Sequence, residues 1–194
     1  MLTKEIKKDF YTIKQKVKIE REEINKFVKL NNLNKLVDFL IIGEDRRFHN
    51  HKGFDIISII RAIRNRLFYA KKEGASTIEQ QLVRVLTNQY ERTFKRKLKE
   101  IILATKLKEL MSKKEIALLY LKLAYFGTEK QGLEKTLHSF NLKLDDNLSD
   151  EICATIVARL KYPEPKLYSL TKDEQIKKRT QYILKAYYKN DKYY

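Results

Sequence analysis

Glu44 and Asp45 stand side by side directly after the apolar run KLVDFLII. The stretch around them, GEDRRFHNHKGFD from Gly43 to Asp55, gathers acids, arginines, histidines, phenylalanines and glycines into one short window. A carboxylate that emerges from a buried element into a cleft has its pKa raised by desolvation, which suits a general base. Phe48 can pack beneath the turn and Gly53 lets the backbone reverse, so the spacing aims Glu44 outward. The plain alternative is a solvated helix cap or a salt-bridge partner. His49 and His51, two apart, do not share a helical face and without further ligands make no metal site.

Two further clusters carry chemistry. In GASTIEQQLVR, Gly74 frees the loop and the N-terminal amides of the next helix are expected to face a bound anion. Gln80 and Arg84 follow on one face by their four-residue spacing. In ERTFKRKLKEI, Arg92, Arg96 and Glu100 recur every four residues and so line one stripe, with Lys95, Lys97 and Lys99 beside it. Arginine offers pyrophosphate oxygens a planar fork. Without a ligand, these two segments read as a well-capped surface helix and a solvated charged face.

The elements that must position these groups are helical. Glycine is scarce at 5 and proline at 2, and no segment alternates convincingly as a strand, so one all-α domain is expected. Ile6, Phe10, Ile13, Val17, Ile24, Phe27 and Val28 recur on one face of a single long helix, which NNLN breaks before KLVDFLII. Ile56, Ile57, Ile59, Ile60 and Ile63 predict another helix running into RNRLFYAKKEG. Capping boxes are expected at Ser76 with Glu79, Ser112 with Glu115 and Thr171 with Glu174, and a cap at Ser149. Pro163 and Pro165 stop SDEICATIVARL. The lone Cys153 sits in an apolar run as core filler.

The 194 residues suffice for one ordinary domain with a buried core, and 43% apolar content argues against disorder. A net charge of +17, from 42 basic and 25 acidic residues, points to an anionic partner: nucleic acid, an acidic membrane surface or a phosphorylated substrate. No segment approaches the roughly 20 apolar residues that span a bilayer, and the N-terminus lacks a signal-peptide core.

EDRRFHNHKGFD, GASTIEQQL, RKLKE and KEIALLYLKLAYFG, in that order, resemble the successive motifs of the peptidoglycan glycosyltransferases. These are the transglycosylase domains of class A penicillin-binding proteins and the monofunctional transglycosylases. The resemblance runs from about Leu36 to the C-terminus and divides the chain into an N-terminal helix, 1–35, and a transglycosylase domain, 36–194. It implies a lysozyme-like all-α domain that polymerises lipid II, a disaccharide-pentapeptide on undecaprenyl pyrophosphate.

By that resemblance Glu44 matches the catalytic base, and Glu100 matches the second family glutamate, near the donor pyrophosphate. Asp45 matches the neighbouring acid that helps hold the substrate site. Ser76, Thr77 and Gln80 match donor-site positions, and Arg92 and Lys97 match basic residues there. Arg84 stands where the family usually has lysine, and Arg96 joins the same basic set. The protein alone supplies no metal site, but the resemblance implies a divalent cation, Mg²⁺ or Mn²⁺, beside Glu100 and the pyrophosphate. No organic cofactor is expected.

RAIRNRLFYAKKEG occupies the segment that in the family forms an apolar jaw. Leu67, Phe68 and Tyr69 are expected to enter lipid while Arg64, Arg66, Lys71 and Lys72 meet headgroups. The expected partners are lipid II, the growing lipid-linked glycan, the outer face of the cytoplasmic membrane and cell-wall synthesis proteins. Lys122 and Val85 replace asparagines common in the family, and GLEKTLHSFNLK is a poor copy of its motif; Glu44 and Glu100 are intact. Two other readings stay open: a non-catalytic relative that binds the lipid-linked substrate or a wall-synthesis partner, and a basic nucleic-acid-binding module with tyrosines under bases. The second leaves the acidic pair unexplained, so no nucleic acid is expected.

Overall fold

The structure is a computed structural model that describes residues 2–70 and 74–191, with the side chains beyond Lys189 set aside. Among the described residues there are ten α-helices and no strand, only the isolated bridges Tyr125 to Gln131 and Gly127 to Glu164. The helices are α1 (Leu2–Ile19), α2 (Arg21–Lys29), α3 (Asn32–Glu44), α4 (Ile56–Tyr69), α5 (Ile78–Thr87), α6 (Phe94–Lys106), α7 (Lys113–Leu123), α8 (Leu133–His138), α9 (Asp150–Lys161) and α10 (Leu170–Asp191).

α7 buries six consecutive residues, Ile116 to Leu121, so it is apolar all round and must sit at the centre. On one side α5 packs against it, with α6 and α1 behind; on another lies α3, backed by α9 and α10. The expected all-α domain is therefore the one observed. Cys153 is fully buried in α9, where desolvation pushes its thiol up to about 12, as befits core filler.

Several boundaries differ from the sequence reading. The long N-terminal helix breaks at Glu20, because its two halves serve different partners: Ile13 and Val17 of α1 are buried where it meets α5 and α6, and α2 packs on α7. α3 begins inside NNLN at Asn32, so the division at 35/36 falls within a helix, and Ile13, Val17, Ile24 and Phe27 share the common core. The capping box at Ser112 and Glu115 and the cap at Ser149 are as expected. Those at Ser76 and Thr171 are not. Thr77 caps α5 while Glu79 turns inward to Lys113, and α10 starts early, where Ser169 Oγ accepts from Lys172 N at 3.5 Å.

Two glycines set the path of the chain through the opening motif. At Gly43 a Cβ would come within 2.5 Å of Val157 and 3.3 Å of Ile183, so only glycine lets the last turn of α3 lie this close to α9 and α10. Gly53 has φ +104, and a Cβ there would meet the Ala104 and Thr105 backbone at 2.6 Å. Phe48, buried between them, packs beneath the turn as expected.

Candidate active site

Glu44 ends α3, and its side chain is 14% exposed. Arg179 of α10 reaches Glu44 Oε1 at 3.3 Å and donates to the Gly43 carbonyl; Gln81 of α5 donates to Glu44 Oε2 at 3.2 Å. Tyr120 of α7 in turn donates to Gln81 Oε1, which fixes the amide so that its NH₂ faces the carboxylate. Burial pushes the Glu44 pKa above the ordinary glutamate value, with Arg179, Gln81 and Lys161 only partly opposing it. The same burial raises the Tyr120 phenol, keeping it a protonated donor.

Glu100, on α6, is a different kind of carboxylate. Only 2% of its side chain is exposed, and three cations surround it: Arg84 at 3.2 Å to both oxygens, Lys97 at 2.8 Å, and Arg96. Lys97 also donates to Gln80 Oε1 at 2.6 Å and Ser76 Oγ at 3.0 Å. Burial lowers the Lys97 pKa although Glu100 supports its charge. One acid among three cations leaves a net positive patch, with Arg84 and Lys97 about a third exposed, at 28% and 32%. Such a patch is suited to an incoming oxyanion.

The two glutamates are linked through α5. Gln81 and Arg84 lie three residues apart, one turned to Glu44 and the other to Glu100. Of the expected site residues, the structure brings Ser76, Gln80, Arg84, Arg96 and Lys97 together around Glu100, and it sets Glu44 against Gln81 and Arg179. Gln81, Tyr120 and Arg179 were not among the expected residues; the second glutamine of EQQ and the arginine of KKRTQYIL were visible, but their partners are distant in sequence.

Three expectations need correction. Asp45 is buried in the wall: it accepts from His51 Nε2 at 3.0 Å and from Ile78 N at 3.2 Å, so it braces the α5 start and offers no surface to a substrate. For the same reason the Ile78 and Gln80 amides at the start of α5 are not open to a ligand, since Ile78 N goes to Asp45 and Gln80 N to the buried Thr77 hydroxyl, itself bonded to Gly53 O. Arg92 precedes α6, which Thr93 caps, and therefore lies exposed and off the Arg96–Glu100 stripe. The stripe of α4 is not packed into the core: Ile56, Ile57, Ile60 and Ile63 are all more than half exposed.

That outward face continues into Leu67, Phe68 and Tyr69, at 74%, 77% and 71% exposure. Lys71 and Lys72 lie outside the described residues. No helix is long and apolar enough to cross a membrane among the described residues. Lys122 pairs with Glu20 at 2.6 Å, so this departure is absorbed as a tie to the N-terminal segment. Val85 packs against the core.

For metals, Asp45, His51 and Glu79 bring donor atoms within 4.8 Å of one another. The Lys113 ammonium already sits on Glu79 Oε1, and Gly53 N donates to His51 Nδ1 at 3.3 Å, while Glu79 Oε2 is buried without a hydrogen-bond partner among the described residues. At Glu100 both oxygens are taken by cations, so the protein's own side chains there do not fit Mg²⁺ or Mn²⁺.

The transglycosylase family model matches residues 12–188, starting well before Leu36. Penicillin-binding protein 1A of Rickettsia typhi is 33% identical over 175 residues, which cover 84% of this chain and 21% of that protein. Penicillin-binding protein 1A of Escherichia coli is 38% identical over 138 residues, 70% of this chain and 16% of that one. Penicillin-binding protein 1F of Bacillus subtilis is 38% identical over 122 residues, 61% and 17% respectively. The chain thus spans about a fifth of the length of the curated relatives it matches.

Replacing Glu100 by Gln leaves three cations facing one another around a neutral group of the same size. The variant is expected to lose about 3 kcal/mol of stability, the low end for a broken buried pair because Arg84 and Lys97 keep some water. Urea unfolding measures this; an unchanged midpoint would refute the assigned role of Glu100 in holding the cluster.

Proposed function

The chain belongs to the transglycosylase family, and from that premise we propose that it is a peptidoglycan glycosyltransferase that polymerises lipid II into β-1,4 glycan. The reading is carried by one observation: α5 joins a desolvated acid to a cationic cluster, its Gln81 meeting Glu44 and its Arg84 meeting Glu100, around which Arg96 and Lys97 of α6 also gather. A glycosyl donor α-linked to pyrophosphate needs both. A base takes the proton from the acceptor's 4-hydroxyl as that oxygen attacks the anomeric carbon, and positive charge receives the departing pyrophosphate.

Attack from the face opposite the leaving group inverts the centre in one step, giving the β-linkage without a covalent intermediate. Glu44 is the proposed base. Its raised pKa lets it accept a proton readily, and Gln81 and Arg179 fix its orientation. Glu100 is the proposed organiser of the donor site, keeping three cations apart from one another and aimed at one place. Proton abstraction by a positioned base supplies about 10² to 10⁴ in rate, so charge stabilisation at the leaving group must supply much of the remainder.

The second proposed partner is the membrane surface, where a lipid-linked substrate resides. The exposed face of α4, from Ile56 to Tyr69, is the apolar surface that supports it, with Arg64 and Arg66 on the same helix for anionic headgroups.

Incubation with labelled lipid II in detergent, followed by separation of glycan chains, tests the reaction. Glu44→Gln is expected to reduce polymer by at least about 10², the scale of a lost general base, while lipid II binding persists. Full activity in the variant would overturn the assignment, and an inactive wild-type chain that still binds lipid II would favour the non-catalytic reading. For the membrane, Leu67→Ser with Phe68→Ser is expected to weaken binding to anionic vesicles by about tenfold or more, given the apolar area withdrawn from lipid. Unchanged sedimentation with vesicles would count against α4 as the contact.

A further inference from the structure

A cleft of about 520 Å³ opens between α9 and α10, within the size range of small-ligand sites. None of its lining residues is among those that pair with Glu44 or Glu100. The α10 residues that line it, from Asp173 to Leu184, share one face of that helix, and Arg179, which touches Glu44, is not among them.

At one end stands Arg159. Its side chain is 12% exposed, its guanidinium carbon lies 4.5 Å from the centre of the Phe140 ring, and Nη2 is 2.5 Å from Glu164 Oε2. Nε and Nη1 are buried without a hydrogen-bond partner among the described residues. A desolvated guanidinium with donors unused is costly, and burial pulls its pKa below the ordinary arginine value despite Glu164. Lys166 and Lys177 add positive charge at the same end; Asp173 is tied to Lys177 at 2.8 Å and Glu164 is shared with Lys130 at 3.2 Å.

The other end is acidic. Glu151 lines it from the first turn of α9, eight residues before Arg159 and thus about 12 Å along the helix axis. Between the two ends the walls carry the Thr155 and Thr180 hydroxyls, 3.5 Å apart, and the Gln181 amide, groups that hydrogen-bond an amide backbone. A cleft with a cationic end, an acidic end and a polar middle complements a zwitterion. An extended chain advances about 3.3 to 3.6 Å per residue, so three or four residues bridge the span.

We propose that the α9–α10 cleft binds a short peptide with free termini, its carboxylate at the cationic end formed by Arg159, Lys166 and Lys177 and its ammonium on Glu151. A lone oxyanion such as phosphate matches only one end and meets Glu151 at the other.

The test uses the full chain labelled with ¹⁵N-arginine, following the Nε–Hε signals while tetra-alanine, its C-terminal amide, its N-acetyl form and inorganic phosphate are titrated in turn, with calorimetry alongside. Tetra-alanine is expected to shift the Arg159 signal saturably. Amidation should weaken binding by about tenfold, the scale of one charge-assisted hydrogen bond. Acetylation should weaken it in wild type and make no difference in Glu151→Gln, and Arg159→Gln should lose binding with its fold checked by melting. If Arg159→Gln does not fold, the Glu151→Gln comparison decides alone. No saturable shift with tetra-alanine, equal affinity for its amide, or phosphate binding as tightly as the peptide would each overturn the proposal.

Discussion

The site depends on where α5 is held. One turn of this helix presents Gln81 to Glu44, and the next presents Arg84 to Glu100, so a small rotation of α5 would release both carboxylates together. Both of its ends are fastened by side chains from elsewhere. Asp45 accepts from the Ile78 amide at the start, and at the finish Lys16 of α1 donates to the Leu86 carbonyl at 2.6 Å. Each tie supplies a group that a helix end leaves unpaired. Glu79 adds a sideways anchor to Lys113. Asp45, read from sequence as part of the substrate site, therefore serves the site from behind it.

The two glutamates show how environment divides the work between chemically equal groups. Glu44 meets one guanidinium and one amide in a dry setting, and desolvation dominates, which favours a group that takes up a proton. Glu100 is more deeply buried yet faces three cations, an environment that holds an anion in place. The N-terminal segment contributes to the second arrangement. Lys99 on α6 pairs with Asp9 at 2.6 Å and Lys95 with Glu5 at 2.7 Å, so α1 clamps the back of the helix whose other side carries Glu100.

Local signals in the sequence were legible where the answer is local. The Ser112 box formed because Ser112 and Glu115 are at an exposed helix start with no competing partner for the acid beyond Arg21. At Ser76 the same pattern misled, since Thr77 is one residue nearer and Lys113 draws Glu79 inward. The break at Glu20 was hidden because the apolar spacing continues across it; only the different partners of α1 and α2 require it. The stripe on α4 was readable as a helix, but periodicity does not say whether an apolar face meets the core or the outside. Glu44 and Glu100 stood out through their motifs, whereas Gln81, Tyr120 and Arg179 acquire meaning only once α5, α7 and α10 converge, across separations of up to 135 residues.

The most direct measurement on this account is the carboxyl titration of Glu44 by ¹³C NMR in the intact chain. If desolvation outweighs Arg179 and Gln81, Glu44 stays protonated to higher pH than an ordinary glutamate at 4.5, and its carboxyl resonance moves only as pH rises beyond that value. A Glu44 that ionises at or below 4.5 would mean that the guanidinium governs the site, and would contradict its assignment as the base.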